Sequence, residues 1–326
     1  MTQELSQVAQ ATRRIQEQVQ RVIVGKSHVI ELVLVAALCE SNVLVEDVPG
    51  IGKTLLARSV ARALGCSFRR LQCTPDLLPS DVTGTYVFNQ QTSTFQFRAG
   101  PIFTQVLLVD EINRSTPRTQ SALLEAMEER QVTIEGETHA LPRPFLVLAT
   151  QNPVELEGTF PLPEAQLDRF LVRVRLGYPA ADEDREILRR FREADPLEEL
   201  KPVSSAEELL ALGRLCRQVR VDQEIEEYLI ALIRATRAHA EVQLGASPRA
   251  MQRLYRASQA LAAVRGRNYV IPDDVKELAP NVLEHRLVLR AQGHLRGHTP
   301  ADVLREVLKA TPVPVESASG ASERKA

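Results

Sequence analysis

The chain has 326 residues, enough for two ordinary domains. Its 44 % hydrophobic and 25 % charged composition is that of a globular protein, which excludes disorder throughout, a fibrous repeat and a small disulfide scaffold. The 40 basic and 42 acidic side chains leave a formal charge of −2, so no bulk field recruits nucleic acid or an anionic membrane, and function has to be read from local sites.

Cys39, Cys66, Cys73 and Cys216 form no CxxC pair, so they are expected as buried thiols in a reducing compartment rather than as a zinc or redox site. The N-terminus carries Glu4 and several glutamines instead of a basic segment followed by an apolar one, which argues against a secretory signal. The longest apolar stretch, Val29 to Cys39, is too short for a membrane span and contains Glu31. The expectation is a soluble cytoplasmic protein with no membrane insertion.

Leu5, Val8, Ile15, Val19 and Val22 recur at helical spacing, predicting an amphipathic N-terminal helix over 2–22, followed by a second helix over 27–40. Short, almost wholly apolar runs then appear at Val43 to Val45, Val106 to Val109, Phe145 to Ala149 and Phe170 to Val174. Strands covered on both faces read this way. Helical stretches at 53–64 and 116–129 separate them, so the pattern is a repeated βαβ unit, a parallel sheet between helix layers. Beyond Tyr178-Pro179 the strand runs cease and helical patterns occupy 182–193, 205–218, 223–240, 248–264 and 272–284, predicting a second, helical domain. The end of the chain from Thr311 is rich in Pro, Ser, Ala and Gly and is expected to be disordered.

The segment from Val43 to Thr54 runs strand, glycine-rich turn, helix. Backbone N–H groups at a helix start can surround a polyphosphate if the turn has no side chains in the way. In Pro49-Gly50-Ile51-Gly52-Lys53-Thr54-Leu55 the two glycines give that clearance. Lys53 then reaches the terminal phosphates, and the Thr54 hydroxyl takes a magnesium position. Asp47 stands where GxxxxGK[ST] has its first glycine; a carboxylate beside phosphates is repelled, so its side chain is expected to point away. The run Val106-Leu107-Leu108-Val109 ends in Asp110 and Glu111. The first acid suits the magnesium shell, and the second can orient and deprotonate a water. Asn152, after the next apolar run, can hold that water without adding charge.

In order along the chain, EDVPGIGKT, LQCTPDLLPSD, VLLVDEINRSTPRTQSALLEAMEERQVTI, LATQNPVELEGTFPLPEAQLDRF and SPRA resemble the MoxR group of AAA+ ATPases, over about residues 15 to 312. The resemblance implies an α/β fold: an AAA+ P-loop core with a parallel five-stranded sheet between helices over 1–179, an all-helical lid over 180–312 and a tail over 313–326. It also implies ATP and Mg2+ as ligands and a ring, usually a hexamer, with ATP sites at subunit boundaries. Arg169 matches the arginine finger that reaches a neighbour's γ-phosphate. Arg249 matches the sensor-2 arginine of the lid, acting within its own subunit or on the next. Val24 and Gly25 match the segment lining the adenine pocket, and Gln72 is placed to restrain Glu111 until a partner binds.

Two further segments, Tyr86 to Phe97 and Gln131 to Leu141, read as β-hairpins. Hairpins of this kind often face the channel of AAA+ rings, so Phe95 and Phe97 are candidates for gripping a polypeptide, against the plainer alternative that they pack on the core. The function expected is a Mg·ATP-hydrolysing ring chaperone that remodels or activates a protein partner, with a von Willebrand factor A domain protein at its side. One alternative is a nucleic-acid motor or loader, disfavoured by the balanced charge and the lack of a basic stripe. The other is a non-hydrolysing nucleotide-dependent scaffold, in which Glu111 and Arg169 would have no purpose.

Overall fold

The computed structural model describes residues 2–153, 158–192 and 195–314. The expected disordered tail lies, from residue 315 onward, outside the described residues.

Five strands build the central sheet: β1 (Asn42–Glu46), β2 (Phe68–Gln72), β3 (Val106–Asp110), β4 (Leu146–Gln151) and β5 (Phe170–Val174). Their order across the sheet is β2-β3-β4-β1-β5, and every neighbouring pair is parallel. The strand sequences explain their positions. In β3, Val106 and Leu108 enter the hydrophobic cluster on one face of the sheet, Leu107 and Val109 the cluster on the other. A strand buried on both sides needs apolar residues at every position. Strand β2 lies at an edge and exposes Arg70 and Gln72, which is why it shows no apolar run.

One face is covered by Thr2–Gln20, Ser27–Leu38, Lys53–Ala63 and the helices of the C-terminal half. Ser27–Leu38 is apolar nearly all round, with Val29, Ile30 and every residue from Leu32 to Leu38 buried; it is an interior helix. The N-terminal helix packs against Lys53–Ala63 and against Ala206–Cys216 and Pro248–Val264 of the C-terminal half. Core and lid therefore share one continuous hydrophobic cluster. No helix among the described residues is long and apolar enough to cross a membrane.

The C-terminal helices Ala181–Arg190, Ala206–Cys216, Gln223–Ala238, Pro248–Val264 and Pro272–Leu283 follow the predicted pattern. Ser247 accepts a hydrogen bond from the Ala250 N–H at 3.0 Å, and Pro248 fills the first helical position. Together they set the start of the helix that carries Arg249. Not anticipated are a small antiparallel pair, Val242–Leu244 with Val288–Leu289, the short helices Pro196–Glu199 and Ala291–Leu295, and a last helix, Pro300–Ala310, capped by Thr299 and Asp302.

Both hairpins form, Gly84–Asn89 with Thr94–Ala99 and Gln131–Ile134 with Glu137–Ala140. Glu135 and Gly136 both have positive φ at the second turn, the conformation that suits the twist of a tight hairpin. The two candidate aromatics part company. Phe97 stacks on His139 with ring centroids 4.4 Å apart and lies near Tyr86 and Phe103, which joins one hairpin to the other. Phe95 is 68 % exposed and touches Phe88 edge-on. All four cysteines are free, Cys73 and Cys216 buried, Cys39 and Cys66 partly so. Burial pushes the Cys39 thiol up to about 12 and those of Cys66 and Cys73 to about 11, so they are inert at neutral pH.

Candidate nucleotide-binding site

The chain leaves β1 at Asp47, turns, and enters the helix Lys53–Ala63. Gly50 and Gly52 have φ of +85° and +93°, and a Cβ at either would meet nothing within 4 Å. The backbone dihedral demands glycine there, and the space alongside is open to a phosphate at the helix start. The Asp47 carboxylate is turned to the protein: it accepts from the Val48 N–H at 2.9 Å and the Gly177 N–H at 2.7 Å. That second bond ties the loop to the segment that follows β5. The Lys53 ammonium donates to the Asp47 carbonyl at 2.7 Å. Burial lowers its pKa, and the charges of Asp110, Asp47 and Glu111 partly restore it. Lys53 thus sits in the field of both strand-tip acids.

A cavity of about 510 Å³ adjoins the loop. Val24, Pro49, Gly50, Ile51, Gly52 and Leu55, all expected at the site, line it. The opposite wall comes from Tyr178, Ile187 and Phe191, which the sequence pattern did not single out. Gly25, expected at the site, does not line this cavity; its φ of +72° is a left-handed conformation that favours glycine. A mostly apolar slot beside an open glycine loop fits an adenine nucleotide.

Asp110 and Glu111 stand at the carboxyl end of β3, where ligands of open parallel sheets bind. The Thr150 hydroxyl donates to Asp110 Oδ1 at 2.6 Å and accepts from the Glu111 N–H at 2.8 Å, so one buried side chain of β4 holds both acids. Arg70 donates to Asp110 Oδ2 at 2.7 Å. Glu111 has φ +56°, a conformation that non-glycine residues adopt mainly at turns and functional sites. Its Oε2 accepts from Gln72 Nε2 at 3.0 Å and from Arg114 at 3.3 Å. Asn152 is buried one residue beyond β4, and β4 lies between β3 and β1. Thr54 follows Lys53 in the first helical turn, so the hydroxyl and the Asp110 carboxylate are a donor set of hard oxygens that fits magnesium. Thr150, Arg70 and Arg114 carry no sequence signal of their own.

The remaining two residues lie elsewhere. Arg169 directly precedes Phe170, which pairs with Asn42 at the amino end of β1. The phosphate loop begins at Asp47, at the other end of that strand. At roughly 3.3 Å per residue the two ends are about 16 Å apart, further than an arginine side chain reaches. Arg249 is on the same side: it pairs with Glu128 at 3.2 Å and approaches Asp168 at 3.8 Å. One turn along its helix, Arg253 donates to Ser41, just before β1. Asp168 is also held by Arg286, which is 5 % exposed, donates to its carboxylate at 2.7 Å, and reaches the Asp168 and Phe170 carbonyls at 3.0 and 2.5 Å. A buried lid guanidinium therefore grips the backbone on both sides of Arg169.

A parallel sheet with a glycine loop after its first strand, an acid pair after the third and a helical lid behind defines a P-loop nucleotide-binding core of the AAA class. Residues 42–172 match the model of the ATPase family associated with various cellular activities, and residues 234–307 that of the AAA lid domain. The chain belongs to the MoxR family of AAA ATPases. It is 43 % identical to Chaperone MoxR1 of Mycobacterium tuberculosis, over 91 % of this chain and 81 % of that one. It is 49 % identical to YeaC, an uncharacterized protein of Bacillus subtilis, over 92 % of this chain and 94 % of that one. The crystal structure of a presumed ATPase from Cytophaga hutchinsonii is similar at a TM-score of 0.90 and 36 % identity, covering 96 % of this chain and 98 % of that one.

Proposed function

We propose that this chain hydrolyses Mg·ATP as a hexameric ring in the cytoplasm and works as a chaperone that remodels a protein complex, with a von Willebrand factor A domain protein as partner. Residues 1–179 act as its nucleotide core and 180–312 as its lid. The observation that carries the reading is the placement of Arg169 and Arg249 at the amino edge of the sheet, while Lys53, Asp110 and Glu111 occupy the carboxyl edge. Cations so far from their own phosphate loop serve a γ-phosphate only in a second copy. Arg249 then acts between subunits, as Arg169 does.

Within one copy, the Gly50–Gly52 loop and Lys53 hold the triphosphate, and the cavity walled by Val24 and Tyr178 takes the base. Thr54 and Asp110 would hold a magnesium ion, which would supply positive charge to offset that of the phosphates. Glu111 accepts the proton of the attacking water, and Asn152 orients that water. Arg169 from the adjoining copy stabilises the transition-state charge, an effect worth about 10³ to 10⁵ in rate. The name of the mycobacterial relative supports protein clients, and the near-neutral charge disfavours a nucleic-acid track.

Light scattering with ATP and the Glu111→Gln chain tests the reading. A hexamer mass whose wild-type ATPase rate is indifferent to added DNA supports it; a monomer under every nucleotide condition overturns it.

A further inference from the structure

On the edge strand β2, Arg70 and Gln72 are two residues apart and so share a face. The parallel register sets Gln72 beside Asp110. The Arg70 guanidinium donates to Asp110 Oδ2 from Nε at 3.2 Å and from Nη2 at 2.7 Å. The same Nη2 donates to Gln72 Oε1 at 2.7 Å, and Gln72 Nε2 donates to Glu111 Oε2 at 3.0 Å. A guanidinium only donates and a carboxylate only accepts, so the amide between them has one permitted orientation, its NH2 toward Glu111. One arginine thus fastens the magnesium acid directly and the water-activating acid through a single amide.

We propose that Arg70 is a positioning residue that makes release of Glu111 conditional on a divalent cation at Asp110. This rests on the roles of Asp110 and Glu111 given above. With Arg70 on Oδ2, Asp110 has its charge already balanced, and Glu111 Oε2 is engaged by Gln72 at 3.0 Å and by Arg114 at 3.3 Å. When Asp110 turns to a metal cation, Arg70 gives up Oδ2, Gln72 loses the donor that orients its amide, and Glu111 is left with only the longer contact to Arg114 at 3.3 Å. Arg70 can leave at little cost because its side chain is 49 % exposed and its charge is readily solvated. The device suppresses attack on nucleotide that arrives without its metal.

The test uses the full chain loaded with one equivalent of ADP, Mn2+ as the probe and paramagnetic resonance of free Mn2+ as the readout, beside steady-state ATPase kinetics. Arg70→Gln removes the competing cation and the donor to Gln72. It should bind Mn2+ about threefold or more tighter and raise kcat severalfold with KM for ATP unchanged. Arg70→Lys keeps the charge without the bridging geometry, so Mn2+ affinity should stay within about twofold while kcat rises. Gln72→Leu should raise kcat and leave Mn2+ binding alone. Unchanged or weaker Mn2+ binding in Arg70→Gln, or a kcat that falls in it, reduces Arg70 to a structural support of Asp110 and overturns the proposal. If Arg70→Gln does not fold, an unraised kcat in both Arg70→Lys and Gln72→Leu overturns it equally. Failure of the wild-type chain to take up Mn2+ with ADP refutes the nucleotide site itself.

Discussion

Arg286→Met removes the guanidinium that holds the Asp168 carboxylate at 2.7 Å and reaches the carbonyls of Asp168, Phe170, Leu171 and Val282. Methionine fills much of the space but donates nothing. Burial lowers the Arg286 pKa to about 10 against the opposing pull of Asp168, the sign of a charge taken out of water and retained by its partner. Breaking a buried pair by deleting one member costs about 3–5 kcal/mol. Asp168 keeps 21 % of its side chain in solvent and retains Arg249 at 3.8 Å, which places the expected loss at the lower end, about 3 kcal/mol. Urea unfolding should show the midpoint fall with the slope unchanged. Asp168→Asn, which leaves Arg286 its carbonyl partners, should cost less, about 1–2 kcal/mol. A loss below about 1 kcal/mol for Arg286→Met would mean that the buried guanidinium does not anchor the segment bearing Arg169.

Lys53→Ala removes a charge-assisted contact to phosphate and should weaken ATP binding about 10- to 100-fold by calorimetry; unchanged affinity would dissociate the loop from the nucleotide. Glu111→Gln should bind ATP normally and hydrolyse it about 10² to 10⁴ times more slowly, read by phosphate release. The lid is also joined to the core by His28, Glu31, Arg265 and Glu277. A hydrogen bond with Glu31 raises the His28 pKa, so its contribution to stability is full below about pH 6.5 and fades as pH rises through the folded value. The side chain is half exposed, so the effect is under about 1 kcal/mol, and His28→Gln should erase it in melts compared at pH 6 and pH 8.5. Burial works against the charge of Glu31, but His28 and Arg265 hold its pKa down to about 2, so its contribution persists until the pH falls toward that value.

Legibility in the sequence followed the range of the interactions. The βαβ core could be read because strands covered on both faces need apolar residues throughout, as in Val106 to Val109. The loop from Pro49 to Thr54 could be read because its backbone conformation requires glycine at two places. Arg70, Thr150 and Arg286 could not. Their meaning lies in partners 40 to 118 residues away, and no local pattern marks one arginine among many. The wall formed by Tyr178, Ile187 and Phe191 was hidden for the same reason, since it comes from the helix Ala181–Arg190 and the residues flanking it, far along the chain from the glycine loop. Val242–Leu244 and Val288–Leu289 are too short to show a period. The last helix did carry its signal in Thr299-Pro300 and Asp302, masked by the glycines at 293 and 297.

Mixing two inactive variants tests the shared site most directly. Arg169→Ala keeps Glu111 and lacks the cation; Glu111→Gln keeps the cation and lacks the base. Each alone should bind ATP and turn it over slowly. Combined, they should recover phosphate release, greatest near equal amounts, because an intact Glu111 then meets an intact Arg169 across the boundary between copies. Two variants that both bind ATP, co-assemble by light scattering and stay inactive at every ratio would contradict the account.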